Sequence, residues 1–170
     1  TDAEKRGAIA FVSKGECDGC HGGPMLSDYG FHNVGLVPQT VAVVFVDLDD
    51  YGASVGLEAA RGDPLNSRGV WSDGDDARLP DTVDDAMIGA FRTPSLRCVA
   101  THPSFMHTGH MTELADVVAF FRRGGDPGGF PGTSELHALD LDDGDEADLV
   151  AFLHALTGPG PSAELLVPPR

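Results

Sequence analysis

The chain has 170 residues, a formal net charge of −16 and an isoelectric point near 4.5. That balance argues against nucleic acid or an anionic membrane surface as partner, since both attract basic proteins; a basic or neutral partner suits it better. The length is that of one domain with a single core, and 22 Gly and 12 Pro with 7% aromatic residues describe a loop-rich protein. No apolar run reaches the length of a membrane span, and a mature chain with its targeting segment already removed is expected.

Residues 2 to 15 read as a first helix, with Ala8, Ile9, Phe11 and Val12 as its apolar stripe, Asp2, Glu4, Lys5 and Arg6 mostly off it, and Gly15 as its stop. Cys17-Asp18-Gly19-Cys20-His21 follows. Cys-x-x-Cys-His is the attachment pattern of a c-type haem: two thiols bond to the porphyrin vinyl groups and the adjacent His offers a nitrogen to iron. Three other chemistries use similar residues. A zinc site needs four ligands, and the only other cysteine is the isolated Cys98. A thioredoxin-like pair is expected after a buried strand in a βαβ pattern, whereas a polar, glycine-rich stretch surrounds this motif. A structural disulfide is the third alternative. The haem reading assigns Cys17 and Cys20 to covalent attachment and His21 to the proximal iron position. It also relieves the shortage of aromatic core, because the macrocycle is a large apolar body. As c-type haem is attached outside the cytoplasm, a mature periplasmic or otherwise extracytoplasmic chain is expected.

Gly22-Gly23-Pro24-Met25-Leu26-Ser27-Asp28 is too rich in Gly and Pro for a long helix, so the proximal side is expected to be a loop, continued by Phe31-His32-Asn33-Val34-Gly35-Leu36. Val41 to Val46, between Pro38 and Asp47, is rich in β-branched residues and reads as a short strand. From Asp47 to Asp85 the sequence is acidic and irregular, an insertion of a length that is commonly functional or disordered. Trp71, the sole tryptophan, is expected to anchor that insertion by burial; an electron relay is the sharper alternative.

Phe91-Arg92-Thr93-Pro94-Ser95-Leu96-Arg97 and Thr101-His102-Pro103-Ser104-Phe105-Met106-His107-Thr108-Gly109-His110-Met111 come next. Taken in order, Cys-x-x-Cys-His-x-Gly-Pro, Phe-His-Asn-x-Gly, Phe-Arg-Thr-Pro-Ser-Leu-Arg, Phe-Met-His-x-Gly and a closing Leu-x-x-Val-Val helix resemble the C-terminal haem domain of the bacterial di-haem cytochrome c peroxidases. That family includes the methylamine-utilisation enzyme that oxidises tryptophan on a partner protein. The resemblance covers residues 5 to 157 in pieces. It implies that the chain is the electron-accepting half of a two-haem system, whose other half carries the peroxide-reacting haem. It also implies a calcium ion at the interface between the halves, held partly by the backbone carbonyls of Thr101 and Pro103. Calcium takes six to eight oxygens, so two carbonyls do not hold it alone.

The departure from the family falls on the distal side of the haem. Aligning Leu114-Ala115-Asp116-Val117-Val118-Ala119-Phe120-Phe121 with the closing helix puts Phe121 where the peroxidases place an axial Met and the tryptophan-oxidising enzyme an axial Tyr. Phenylalanine does not ligate iron. Met106 or Met111 is the first choice for the sixth ligand, an open site the second, and His107 or His110 the third; Met25 lies too close to the proximal loop. A thioether favours a high potential, a bis-His site a lower one. Arg92 or Arg97 is a candidate partner for a haem propionate, while His32, His102, His137 and His154 are expected to be hydrogen-bonded or solvent-facing.

Thr112 is expected to cap the helix whose buried face is Leu114, Val117, Val118 and Phe121, stopped by Gly124-Gly125. A last helix runs from about Asp143 to Leu156 behind an acidic first turn, which suits the positive end of the helix dipole. Cys98 is expected to be a buried free thiol, with an intermolecular disulfide the alternative. The expectation is an all-α, loop-rich, class I-like cytochrome c domain over residues 1–158, three to four helices around one covalent haem c, with a tail at 159–170. One-electron transfer to a redox partner protein or a second haem domain is the leading function. A peroxidase or oxidase acting at an open distal site, or a haem subunit of a larger electron-transfer assembly, are the alternatives.

Overall fold

A computed structural model describes residues 1–37, 51–74 and 79–167. Its helices are α1 (Asp2–Phe11), α2 (Ala53–Gly62), α3 (Leu114–Arg122) and α4 (Asp143–Ala155), joined by long loops with short 3₁₀ turns. The expected Val41–Val46 strand lies outside the described residues.

The two ends of the chain meet as α1 packs along α4, the most extensive helix contact in the molecule. Gly7 makes the close approach: a Cβ there would lie 1.9 Å from the carbonyl oxygen of Asp148 and 2.8 Å from Cβ of Phe152. Around that crossing the Arg6 guanidinium forks onto the Asp148 carboxylate at 2.6 and 2.8 Å, and Phe11 meets Phe152 edge-on at 5.2 Å. The buried face of α1 is therefore Gly7, Ala10 and Phe11, one stripe at i, i+3, i+4. This corrects the expected stripe, since Ile9 and Val12 are 64% and 60% exposed. The helix also ends earlier than expected, at Phe11, and the chain turns through residues 12–15 with Gly15 N–H donating to the Ala10 carbonyl at 2.8 Å.

α3 packs on α4, and Ala10, Phe11, Val99, Leu114, Val118, Leu141, Leu149 and Leu153 form the core between them. On α3 the buried positions are Leu114, Val118 and Phe120, with Val117 and Phe121 half-buried. Phe120, not Phe121, is the fully enclosed aromatic. The N-cap is Glu113, without a side-chain capping bond, so Thr112 does not cap this helix. Gly124 and Gly125 stop it as expected, both in the left-handed region (φ 82° and 85°) that glycine enters at little steric cost. α4 starts with a reciprocal capping box: Asp142 accepts from Asp145 N–H at 2.8 Å and the Asp145 carboxylate accepts from Asp142 N–H at 3.1 Å.

Two features fall where irregular chain was expected. α2 lies inside the acidic 47–85 stretch, burying Ser54 and Leu57. The strands β1 (Phe31–His32) and β2 (Phe91–Arg92) pair antiparallel, Phe31 with Arg92 and His32 with Phe91. Trp71 is 80% exposed and is not the buried anchor expected of it. The expected tail holds an exposed 3₁₀ turn, Ala163–Leu166. Among the described residues no helix is long and apolar enough to cross a membrane.

Candidate haem-attachment site

The α1–α4 pair delivers the chain into the Cys-x-x-Cys-His segment. Glu16 turns it through a left-handed conformation, Cys17–Gly19 forms one 3₁₀ turn, and His21 N–H closes onto the Cys17 carbonyl at 2.9 Å. Both sulfurs and the imidazole thus come from a single tight turn. Cys17 packs against the core, its Sγ 3.2 Å from the Gly15 carbonyl, whereas Cys20 is half-exposed. Burial pushes the Cys17 thiol up to about 11 and raises that of Cys20 as well, so both are neutral thiols at ordinary pH. All three cysteines are free, which disfavours the disulfide reading. The motif follows a helix and a turn rather than a buried strand, which disfavours the thioredoxin-like one.

His21 has the arrangement a proximal ligand needs. Its Nδ1 lies 3.0 Å from the Leu26 carbonyl; a carbonyl only accepts, so Nδ1 carries the proton and the lone pair resides on Nε2. Burial lowers the pKa of His21, keeping the ring neutral, as metal ligation requires. Fixing a ligating His through its other nitrogen is the usual outer-shell device. Nothing in the motif alone identifies Leu26 as that partner, because a backbone carbonyl leaves no mark on residue type. The donor set, the free thiols and the oriented imidazole all fit a covalently attached haem.

The loop that carries Leu26 is held by the Phe91–Arg97 motif. Ser27 Oγ donates to the Thr93 carbonyl (2.8 Å), Ser95 Oγ to the Met25 carbonyl (2.6 Å), Arg97 Nη1 to the Pro24 carbonyl (2.8 Å) and Thr93 N–H to the Gly30 carbonyl (2.9 Å). Arg97, expected as a candidate for a propionate, braces this loop, and Arg92 lies over the Tyr29 ring at 4.9 Å. Asn33, missed in the sequence, is a buried junction: its Nδ2 donates to Ile88 and Pro131 carbonyls at 3.0 and 2.7 Å, and its Oδ1 accepts from Gly35 N–H at 2.9 Å. The signal available was the Asx-turn pattern Asn-x-Gly.

The distal candidates share one loop. Phe105 N–H donates to the Met111 carbonyl at 2.7 Å and Gly109 N–H to the Met106 carbonyl at 3.1 Å, leaving both methionines half-buried. His107 stacks on Phe91 at 3.6 Å and 8°, and His110 Nδ1 bonds the Thr108 hydroxyl. Phe121 lies edge-on to Phe120 at 5.4 Å. His102, His137 and His154 are exposed, and Cys98 is a half-buried free thiol rather than a fully buried one. Thr101 and Pro103 are exposed, with the Thr101 hydroxyl turned onto the Cys98 carbonyl at 2.7 Å. Among the described residues no three His, Cys, Asp or Glu side chains gather as ligands for a metal ion.

This fold is that of a di-haem peroxidase domain. The solved diheme peroxidase BthA from Burkholderia thailandensis superposes with a TM-score of 0.66 at 23% identity, over 92% of this chain and 43% of that one. Cytochrome-c peroxidase IdrP2 of Denitromonas iodatirespirans is 37% identical over 163 residues, 93% of this chain and 40% of that protein. The methylamine utilization protein MauG of Methylorubrum extorquens is 29% identical over 153 residues, 89% of this chain and 34% of its own length. No protein-family model matches. The chain is homologous to the di-haem cytochrome c peroxidases and MauG, carries the motif series of their C-terminal haem domain, and spans about 40% of the length of the peroxidase relatives. That kinship supports a haem-based redox reading with haem c as the cofactor.

Proposed function

We propose that the chain is a class I-like haem c domain that passes single electrons, the electron-accepting half of a peroxidase-like system whose other haem lies on a second domain or chain. Cys17 and Cys20 would carry the thioether bonds and His21 Nε2 would hold the iron. The observation that supports this most is the His21 Nδ1 bond to the Leu26 carbonyl, which fixes the tautomer a ligand requires. The haem supplies reversible exchange of one electron between ferric and ferrous iron. The polypeptide orients it: the turn at 17–21 sets the imidazole, and residues 91–97 hold the 24–30 loop against it. Met106 or Met111 would supply the second iron ligand in this reading, since Phe121 has no lone pair to offer. Calcium at Thr101 and Pro103 requires ligands from the second domain. The net charge of −16 favours a basic or neutral redox partner, and covalent haem attachment favours an extracytoplasmic location.

Phe121 also supports a second reading, in which the sixth position is open and the haem reacts with peroxide itself. The ferric spectrum of the exported, haem-loaded protein separates the two. A six-coordinate low-spin spectrum with a near-infrared sulfur-to-iron band, lost in either Met106→Ala or Met111→Ala, is the expected result. A high-spin spectrum that changes with peroxide transfers the assignment to catalysis, and a colourless protein with no added mass overturns both.

A further inference from the structure

His32, expected to be hydrogen-bonded or solvent-facing, stands between two carboxylates. Its Nδ1 is 2.7 Å from Glu135 Oε2 and its Nε2 is 2.9 Å from Asp28 Oδ2. Ionised carboxylates only accept hydrogen bonds, so both ring nitrogens must donate, and an imidazole that donates twice is an imidazolium. Both carboxylates are themselves held. Asp28 Oδ1 accepts from Gly30 N–H at 2.8 Å, and Glu135 Oε1 accepts from Asn33 N–H at 3.1 Å. A neutral His32 would direct a lone pair at a fixed carboxylate oxygen less than 3 Å away.

The cluster adjoins the haem-bearing turn: Asp28 N–H donates to the Cys20 carbonyl at 2.8 Å. The positive charge on His32 opposes protonation of His21, and the negative charges of Asp28 and Glu135 add to burial in raising the Cys20 thiol. Arg92 of β2 pairs with Phe31 and lies over Tyr29. We propose that His32, bridging Asp28 and Glu135, is the redox-linked proton acceptor of this domain, a positioning residue that couples the potential of the haem to pH. The inference rests on the haem reading given above.

The coupling has a definite direction. Protonated, the three groups sum to one negative charge; deprotonated, to two, and the added negative charge stabilises ferric over ferrous iron. When a reduced redox protein donates one electron to ferric iron, the loss of positive charge there favours His32 holding its proton. In the pH range where His32 is partly deprotonated, one proton is therefore taken from solvent with the electron. The hydrogen bond to Glu135 and then that to Asp28 raise the pKa of His32 above the usual 6.5 against partial desolvation, so the coupled range lies on the alkaline side of that value.

The test is the midpoint potential of the haem-loaded full chain, followed spectroelectrochemically from about pH 5.5 to about pH 9.5. In the wild type the potential is expected to be level below 6.5 and to fall above it. His32→Gln is expected to flatten the fall, and Glu135→Gln to move its onset to lower pH; a purely structural bridge would move neither. If His32→Gln does not load haem, the His32 imidazole is followed by NMR in the wild type, with a pKa above 6.5 that is higher in the ferrous than the ferric protein as the expected result. Superimposed wild-type and His32→Gln profiles, or a pKa identical in both oxidation states, overturn the coupling. A flat profile in a coloured protein sinks this inference alone, whereas a colourless protein sinks the haem reading and the coupling with it.

Discussion

Replacing Gly7 by Ala sets local propensity and tertiary packing against each other. In an exposed helix the change stabilises by about 0.5–1 kcal/mol, because glycine loses more backbone entropy on folding. Here the new Cβ would sit 1.9 Å from the Asp148 carbonyl oxygen and 2.6 Å from its carbon. Ordinary contact is about 3.4 Å, so α1 and α4 must separate by more than an ångström, loosening the Phe11–Phe152 pair and the Arg6–Asp148 fork. Overpacking of this kind costs about 1–3 kcal/mol, and a weakened aromatic pair adds about 0.5–1.5 kcal/mol. Net destabilisation of about 1–3 kcal/mol is expected, a fall in Tm of roughly 3–10 °C for a chain of this size. Thermal melts by far-UV circular dichroism, with the Soret band followed in parallel, measure it. A Gly7→Ala protein melting at or above the wild type would refute the claim that this glycine seats one helix on the other.

Asn33→Ala strands two half-buried carbonyls and one buried N–H and is expected to cost about 2–4 kcal/mol; Asn33→Asp, which turns acceptor oxygens toward the Ile88 and Pro131 carbonyls, is expected to be at least as damaging at neutral pH. A urea midpoint for Asn33→Ala equivalent to less than about 1 kcal/mol would show that water replaces the side chain. Asp142→Ala removes the α4 capping box and is expected to cost about 1 kcal/mol, with Asp142→Ser recovering most of it; equal loss in both variants would assign the effect to charge rather than to the cap. The spectra of the Met106→Ala and Met111→Ala proteins and the pH profile of His32→Gln complete the set.

The attachment motif was legible because its chemistry is local: two thiols and an imidazole at fixed spacing, within one turn of chain. The same holds for the α4 start, where the acidic residues act within one turn, and for the stop at Gly124-Gly125. The ordered motif series went further and identified the kin of the chain, although no single stretch of it states why its residues are there. Residues 91–97 were readable as a signature but not as the brace of the 24–30 loop, since most of those bonds end on backbone carbonyls.

What failed in the sequence were arguments from bulk apolarity. Ile9, Val12 and Trp71 are large and apolar, yet burial is decided by whether another element can reach the position, and α4 reaches α1 through the smallest residue on its surface, Gly7. α2 escaped notice because two glycines and a Gly N-cap mask a short helix whose burial rests on Ser54 and Leu57. Sequence by itself singled out the candidate site at 17–21 and determined the kinship, because residue spacing and motif order are properties of the chain. Tertiary structure alone decided the tautomer of His21 and the pairing of His32, because the path of the 21–32 loop sets the Leu26 carbonyl and the Asp28 carboxylate against the two rings and the fold brings up Glu135 from far along the chain.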